Sequence, residues 1–255
     1  LLLLSVVVFS ACKKKEDPNP DNNNPPAVND PAGSVSFEFE NIMNGRTINL
    51  NSDWYLNDNG DSFQVTKFSY YISNIKFHDR NGNIYAVPES YHLLQQEDPG
   101  SLSFTLDNIA AGTYTSISFL IGVDSIRNVS GAQTGALDPV HGMFWDWNTG
   151  YIMAKFEGNS PQSSQNGKLI YHIGGFSGEF NPIKQVSLSL PMDITISDNI
   201  GIISIEADLA EWFRDPSLID FSELSTIHMP NANARKIADN YADMFQVRSA
   251  TYSIE

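Results

Sequence analysis

Pro139 to Gly158 reads P-V-H-G-M-F-W-D-W-N-T-G-Y-I-M-A-K-F-E-G, two short runs of alternating side chains joined by turn residues. In an extended chain, alternate side chains share a face. Met143, Trp145 and Trp147 then point one way, and Phe144, Asp146 and Asn148 the other. Asn148-Thr149-Gly150 suits a hairpin loop, because glycine takes the left-handed conformation that such a loop needs. Tyr151 to Phe156 is the returning strand. The stretch holds two of the four tryptophans, two of the six methionines and His141, one of five histidines. It predicts a hairpin with an aromatic, sulfur-bearing face beside a histidine. The plainer account of the same pattern is a half-buried hairpin with a heavy core face.

Outward from this hairpin the chain keeps the same rhythm. Val35-Ser36-Phe37-Glu38-Phe39 alternates cleanly, and Phe63 to Phe68 and Tyr70 to Phe77 follow. Arg80-Asn81-Gly82-Asn83 is a tight-turn signal leading into Ile84 to Val87. Further runs lie at Tyr91–Leu94, Ser101–Leu106, Thr113–Val123, Lys168–Ile173, Gln185–Leu190, Asp193–Ile196 and Ile202–Ala207. Many short strands separated by turns predict an all-β fold, an antiparallel sandwich or barrel-like domain. Only the C-terminal part reads helical. Asp208 to Arg214 is long enough for about two turns before Pro216. Between Asn231 and Phe245, residues Ala234, Ile237, Ala238, Tyr241, Ala242 and Phe245 recur at helical spacing, which predicts a short helix packed on the sheets. No internal repeat is visible.

The 255 residues are enough for one sizeable core, 41% of them hydrophobic. The formal net charge is -15. Such a chain repels phosphate backbones, which excludes nucleic acid as a partner, and it repels anionic lipid too. Membrane attachment must then be covalent or apolar. Leu1 to Phe9 is an apolar run of signal-peptide length, followed by Ser10-Ala11 and by Cys12, the only cysteine. Apolar core, small residues and cysteine resemble a bacterial lipobox, in which residues 1–11 are removed and the cysteine is acylated. The absence of Met and of a basic start predicts more leader upstream. Residues 12–33 read as a tether, because K-K-K-E-D and D-P-N-P-D-N-N-N-P-P cannot bury enough apolar surface to fold. Its charges nearly cancel, so the acidity belongs to the domain over 34–255. Charge directly after the lipid cysteine resembles the surface-export pattern of Bacteroidetes-type lipoproteins. The expected location is the cell envelope, on the outer membrane, facing the periplasm or the outside.

The chain has no G-x-S-x-G, no P-loop and no H-E-x-x-H. A lone cysteine rules out an intramolecular disulfide and a multi-cysteine zinc site. His78 and His92 fall at strand ends and read as rim residues. His141, His172 and His228 have more promising neighbours. His172 alternates with Ile170 and Gly174, and the glycines after it suit a ligand or a close backbone approach. The alternative for His172 is a core imidazole bonded to a carbonyl. His228-Met229 offers imidazole and thioether together, a pair that suits copper in either redox state. Met143 and Met153 read as core fillers. Asn57-Asp58-Asn59-Gly60-Asp61 has a calcium-like look but lacks the closing glutamate, and reads as a solvated turn. Asp124, Asp138, Asp146 and Glu157 could supply a carboxylate pair for hydrolysis.

The run G-A-L-D-P-V-H-G-M-F-W-D-W-N-T-G-Y-I-M-A-K-F-E-G resembles the signature of MbnP-like proteins. F-S-Y-Y-I-S-N-I-K-F at Phe68–Phe77, I-S-F-L-I-G-V at Ile117–Val123 and Y-H-I-G-G at Tyr171–Gly175 fit that family in its order. The resemblance implies an exported, copper-associated β protein. It implies that Trp145 or Trp147 is oxidised to kynurenine by a di-haem partner enzyme of the cytochrome c peroxidase kind. His172, and less securely His141, would be copper ligands by motif. His228 and Met229 rest on donor chemistry alone. No C-x-x-C-H haem site occurs, so any oxidant comes from a partner. The leading expectation is a lipid-anchored copper-binding protein that is not itself an enzyme. Its rival is a surface binding or scaffold lipoprotein with an aromatic platform for a sugar or peptide. The exposure of the two tryptophans, and whether they flank His172, discriminates between them.

Overall fold

The computed structural model describes residues 32–147, 150–197 and 199–253. The leader, Cys12, nearly all of the tether and the Asn148-Thr149 hairpin tip lie outside the described residues. The strands, in chain order, are β1 (Ala32–Met43), β2 (Arg46–Thr47), β3 (Trp54–Leu56), β4 (Ser62–Asp79), β5 (Ile84–Ala86), β6 (Tyr91–Gln95), β7 (Ser103–Ala110), β8 (Gly112–Ile121), β9 (Phe144–Trp145), β10 (Gly150–Asn159), β11 (Lys168–Gly174), β12 (Lys184–Ile196), β13 (Ile200–Asp208), β14 (Thr226–Ile227) and β15 (Phe245–Tyr252). Two α-helices join them, α1 (Ser125–Val129) and α2 (Ala232–Asn240). The all-β expectation holds, and β1 takes in Ala32 and Gly33, which the sequence reading assigned to the tether.

Two sheets form a sandwich. The smaller has the order β15-β13-β1-β2, with β7 also on β1. The larger runs β12-β8-β4-β10-β11-β14, with short strands β3, β5 and β6 added along β4 and β9 on β10. Its spine is β4, eighteen residues long. The sequence split this strand into two runs. The structure keeps them as one, with a register shift between Ser73 and Lys76 where Asn74 turns to a φ of 55°. Gln185–Leu190 and Asp193–Ile196 likewise merge into β12 across a bulge. The pairing is mixed rather than wholly antiparallel, since β1 runs parallel to β13 and β11 parallel to β14. Those partners are far apart in the chain, so no local turn signal announces them.

The inner faces meet in an aromatic core. Phe37 stacks on Phe104 at 5.3 Å, and Phe245 meets Phe39, Tyr70 and Phe119 edge-on. Trp212 and Phe213 come from a 3-10 turn at Leu209–Phe213, where the sequence predicted two helical turns, and they cap one end of the core beside Tyr241. The C-terminal helix is confirmed but shorter than its periodicity. After Asn240 it tightens to a 3-10 turn over Tyr241–Asp243. Asn231 caps its start by accepting from the Ala234 N–H at 2.9 Å.

The calcium-like loop is a turn with an exposed tip, Asp58 to Gly60, and two ends held inside. Asn57 and Asp61 are buried. Asp61 Oδ2 accepts from Asn57 Nδ2, Asn59 Nδ2 and the Phe221 N–H at 3.2, 3.1 and 3.0 Å. Asp61 therefore ties this loop to the segment that carries Phe221 into the core. Asp61→Ala is expected to cost about 2 kcal/mol by stranding these donors, measured as a lower urea midpoint.

A second, smaller apolar cluster covers the opposite face of the larger sheet. It comprises Tyr71, Leu93, Val123, Leu137, Met143, Trp145, Tyr151, Ile152 and Met153. The parity of β4 explains it: Tyr70 and Ile72 face the main core, and Tyr71 faces the second cluster. Met143 and Met153 are fillers here, as expected. The tryptophan hairpin thus lies outside the sandwich interior, as a cover over the outer face.

Candidate functional site

Strand parity carries His172 to that outer face. Along β11, Leu169, Tyr171 and Ile173 are buried in the main core, so His172 and Gly174 look outward. Lys155 of β10 stands opposite His172, and Glu157 stands two residues on along the same face. Glu157 Oε1 lies 2.8 Å from His172 Nε2. That bond, ahead of the Lys155 and Lys67 charges, holds the Glu157 carboxyl below its usual range. The core-imidazole alternative is thereby corrected: the partner of His172 is a carboxylate on the outside of the sheet.

His228 reaches the same place from the other end of the chain. Parallel pairing of Ile170 with Thr226 and of Tyr171 with Ile227 brings the next residue, His228, beside His172. Their ring centroids are 5.6 Å apart at 90°. Partial burial, then the neighbouring His172, lowers the His228 pKa. The neutral form, the one with a nitrogen lone pair to offer a ligand, is thereby favoured.

Trp145 lies along the same face. A Cβ built on Gly174 would sit 2.5 and 2.6 Å from Trp145 Cζ3 and Cη2, so the indole occupies the space a side chain would fill. Trp145 is therefore next to the residue that follows His172 on its own face. The expected sharing of a face by Met143, Trp145 and Trp147 fails at its last member. Met143 and Trp145 are buried, but Trp147 is 62% exposed, because β9 ends at Trp145 and the chain turns. The two indoles remain tilted together at 5.4 Å. With Phe176 and Pro230 they line an open groove of about 450 Å3.

The other expected residues fall at the margin. His141 is exposed, and its Nε2 contacts the Gly135 carbonyl at 3.1 Å rather than the histidine pair. Its neighbour Gly142 offers its carbonyl to the Lys155 ammonium, which pins this loop beside the site. Burial lowers the Lys155 pKa. Met229 is 51% exposed beside His228. Glu157 and Lys155 were missed as members of the site, although their spacing from Phe156 on one strand already put both on the face opposite the core. Among the described residues no group of three or more His, Cys, Asp or Glu side chains gathers as a metal cage. Three of the four carboxylates weighed for hydrolysis have separate partners, and the fourth is exposed. Asp124 caps α1 and accepts from the Tyr91 hydroxyl, Asp138 accepts from the Val140 N–H, Asp146 is exposed, and Glu157 is held by His172.

Residues 32–230 match the family model for MbnP. The chain belongs to the MbnP family. Its structure is also similar to that of MbnP from Methylosinus trichosporium, with a TM-score of 0.56 over 88% of this chain and 99% of that one. At 11% identity this likeness carries the fold alone. A search of curated proteins gives no match. The MbnP match stops before α2, yet β15 beyond it pairs with β13 from Ala207 to Gly201 and belongs to the same sandwich.

Of the remaining histidines, His78 bonds Ser118 at 2.7 Å, half-buried. His92 departs most from its expected rim position. It stacks on Phe104 at 3.6 Å, its Nε2 is buried without a partner, and burial lowers its pKa to about 4. The unfolded chain takes up a proton near pH 6.5 that the folded chain refuses. Stability from this group is complete above pH 6.5 and falls with pH down to about 4, by up to about 1.4 kcal/mol per unit. Urea midpoints from pH 7 to 4 are expected to drop less steeply for His92→Phe than for wild type.

Proposed function

We propose that this MbnP-family protein is an extracytoplasmic, lipid-anchored copper-binding protein and not itself an enzyme. The observation that carries the reading is the His172–His228 pair beside Trp145. A metal–imidazole nitrogen bond of about 2.0 Å puts each ring centroid roughly 3.1 Å from the ion, so two rings sharing an ion stand about 5–6 Å apart. The 5.6 Å separation falls within that range. Two imidazoles with a nearby thioether, Met229, form a donor set that suits copper. His141 is left out of this set, because its ring is exposed and bonds the Gly135 carbonyl rather than either histidine.

The tryptophans extend the donor set by chemistry they do not yet carry. An indole offers only a donor N–H. Oxidation of Trp145 or Trp147 to kynurenine would expose an aniline amine and a ketone. Trp145, over Gly174, is the ring whose product would stand nearest the pair. The exposure of Trp147 leaves this corner reachable by a di-haem partner of the cytochrome c peroxidase kind. Copper held here would be bound for storage or delivery. Glu157 and Lys155, the acid–base groups described beside the pair, are both engaged, which favours holding the ion over turnover. Acylation of Cys12 would place the domain on the outer membrane.

Mass spectrometry of tryptic peptides from the native protein tests the modification, with kynurenine at one indole as the expected result. Copper titration of the mature domain tests the binding, with one ion per chain expected. A second reading has its own support: the open groove beside the exposed Trp147 is a fair platform for a sugar ring. Oligosaccharide binding that survives His172→Ala, with no copper taken up, would favour it.

A further inference from the structure

His172 has two ring nitrogens, and the fold has already committed one of them. Nε2 lies 2.8 Å from Glu157 Oε1. An ionised carboxylate only accepts, so Nε2 must carry the hydrogen, and in the neutral ring the lone pair is then on Nδ1. The position of Glu157 is well fixed. It lies on β10 between two paired strands, opposite Lys67 of β4 on one side and Ile170 of β11 on the other. The contact is largely buried, its side chains only 20% and 34% exposed, so the fold holds both partners in place. That suits an orienting role.

We propose that Glu157 is the positioning residue of the histidine pair, holding His172 as the Nε2–H tautomer so that Nδ1 is the nitrogen offered to the metal. This rests on the copper reading above and adds to it the ligand atom and the group that selects it. An imidazole whose second nitrogen donates to a carboxylate is a fixed and more basic ligand, and losing such a partner typically costs about 10–100-fold in metal affinity.

The test is nuclear magnetic resonance of histidine-labelled protein together with Cu(I) competition titration. Five histidines keep the nitrogen spectrum tractable. In the metal-free protein His172 is expected as the Nε2–H tautomer, and added Cu(I) should shift its Nδ1. Glu157→Ala should mix the tautomers and weaken Cu(I) binding about 10–100-fold at unchanged stoichiometry. Glu157→Gln, whose amide oxygen still accepts, should recover most of the affinity. An Nδ1–H tautomer in the wild type, Cu(I) on Nε2, or undiminished affinity in Glu157→Ala would overturn the proposal while leaving copper binding intact. Loss of the copper equivalent in Glu157→Ala would make Glu157 a ligand and also overturn it. A wild type that takes up no Cu(I) yet keeps the Nε2–H tautomer would overturn the copper reading itself and leave Glu157 a structural role.

Discussion

His172→Ala is expected to lower copper affinity by on the order of 100-fold or more, the upper end of what losing even a supporting contact to a ligand costs. The fold should survive. His172 looks away from the main core, and its partner Glu157 is exposed enough to rehydrate. The melting temperature should therefore move by only a few degrees, and a competition titration reads the loss directly. His228→Ala should behave alike, because the two rings are neighbours across β11 and β14. His141→Ala should do less, since that ring is exposed and bonds the Gly135 carbonyl rather than either histidine. The reverse order, with His141 essential and His228 dispensable, would remove the parallel β11–β14 pair from the site. Unchanged affinity in His172→Ala would remove His172 and, with it, the proposed metal centre.

Gly174→Val is expected to destabilise the protein by about 3 kcal/mol, the upper end of the overpacking range. It should lower the melting temperature by roughly 6–12 °C for a domain of this size. The new Cβ would overlap the Trp145 ring at 2.5 Å and approach the Tyr151 carbonyl at 2.9 Å. One obstacle is a packed indole and the other is backbone, so neither moves freely. The ring must lift off β11 and open the second cluster, with Met143 and Tyr151 beneath it. Tryptophan fluorescence should shift to the red as Trp145 meets water. Copper binding should weaken as well, although no ligand has been changed. A variant that keeps the wild-type emission and melting temperature would show that Trp145 does not rest on Gly174.

How much of this could be read from the chain varies from residue to residue. The alternation in Val35–Phe39, and the apolar repeat at Ala234, Ile237, Ala238 and Tyr241, gave correct elements, because one-sided burial writes its period into local sequence. The end of the helix was misread, since a tightening last turn keeps the same apolar spacing. Trp147 was placed with Trp145 because alternation assumes an unbroken strand, and β9 is only two residues long. His92 was placed at the rim because nothing beside it in the chain names Phe104, twelve positions on, as its cover. Glu157 was weighed only as one acid among four. Its role became visible when pairing set it against His172.

The sequence alone determined the all-β class, and the W-x-W and Y-H-I-G-G segments as the places to look. Those follow from composition, hydrophobic period and turn chemistry, all of which act between near neighbours. Only the tertiary structure decided that there is a second face, that Trp145 lies on Gly174, and that His228, 56 positions after His172, comes to stand beside it. Strand order and parallel pairing bring such partners together through backbone hydrogen bonds that any residue can make, so they leave no mark on the identities of the side chains they align.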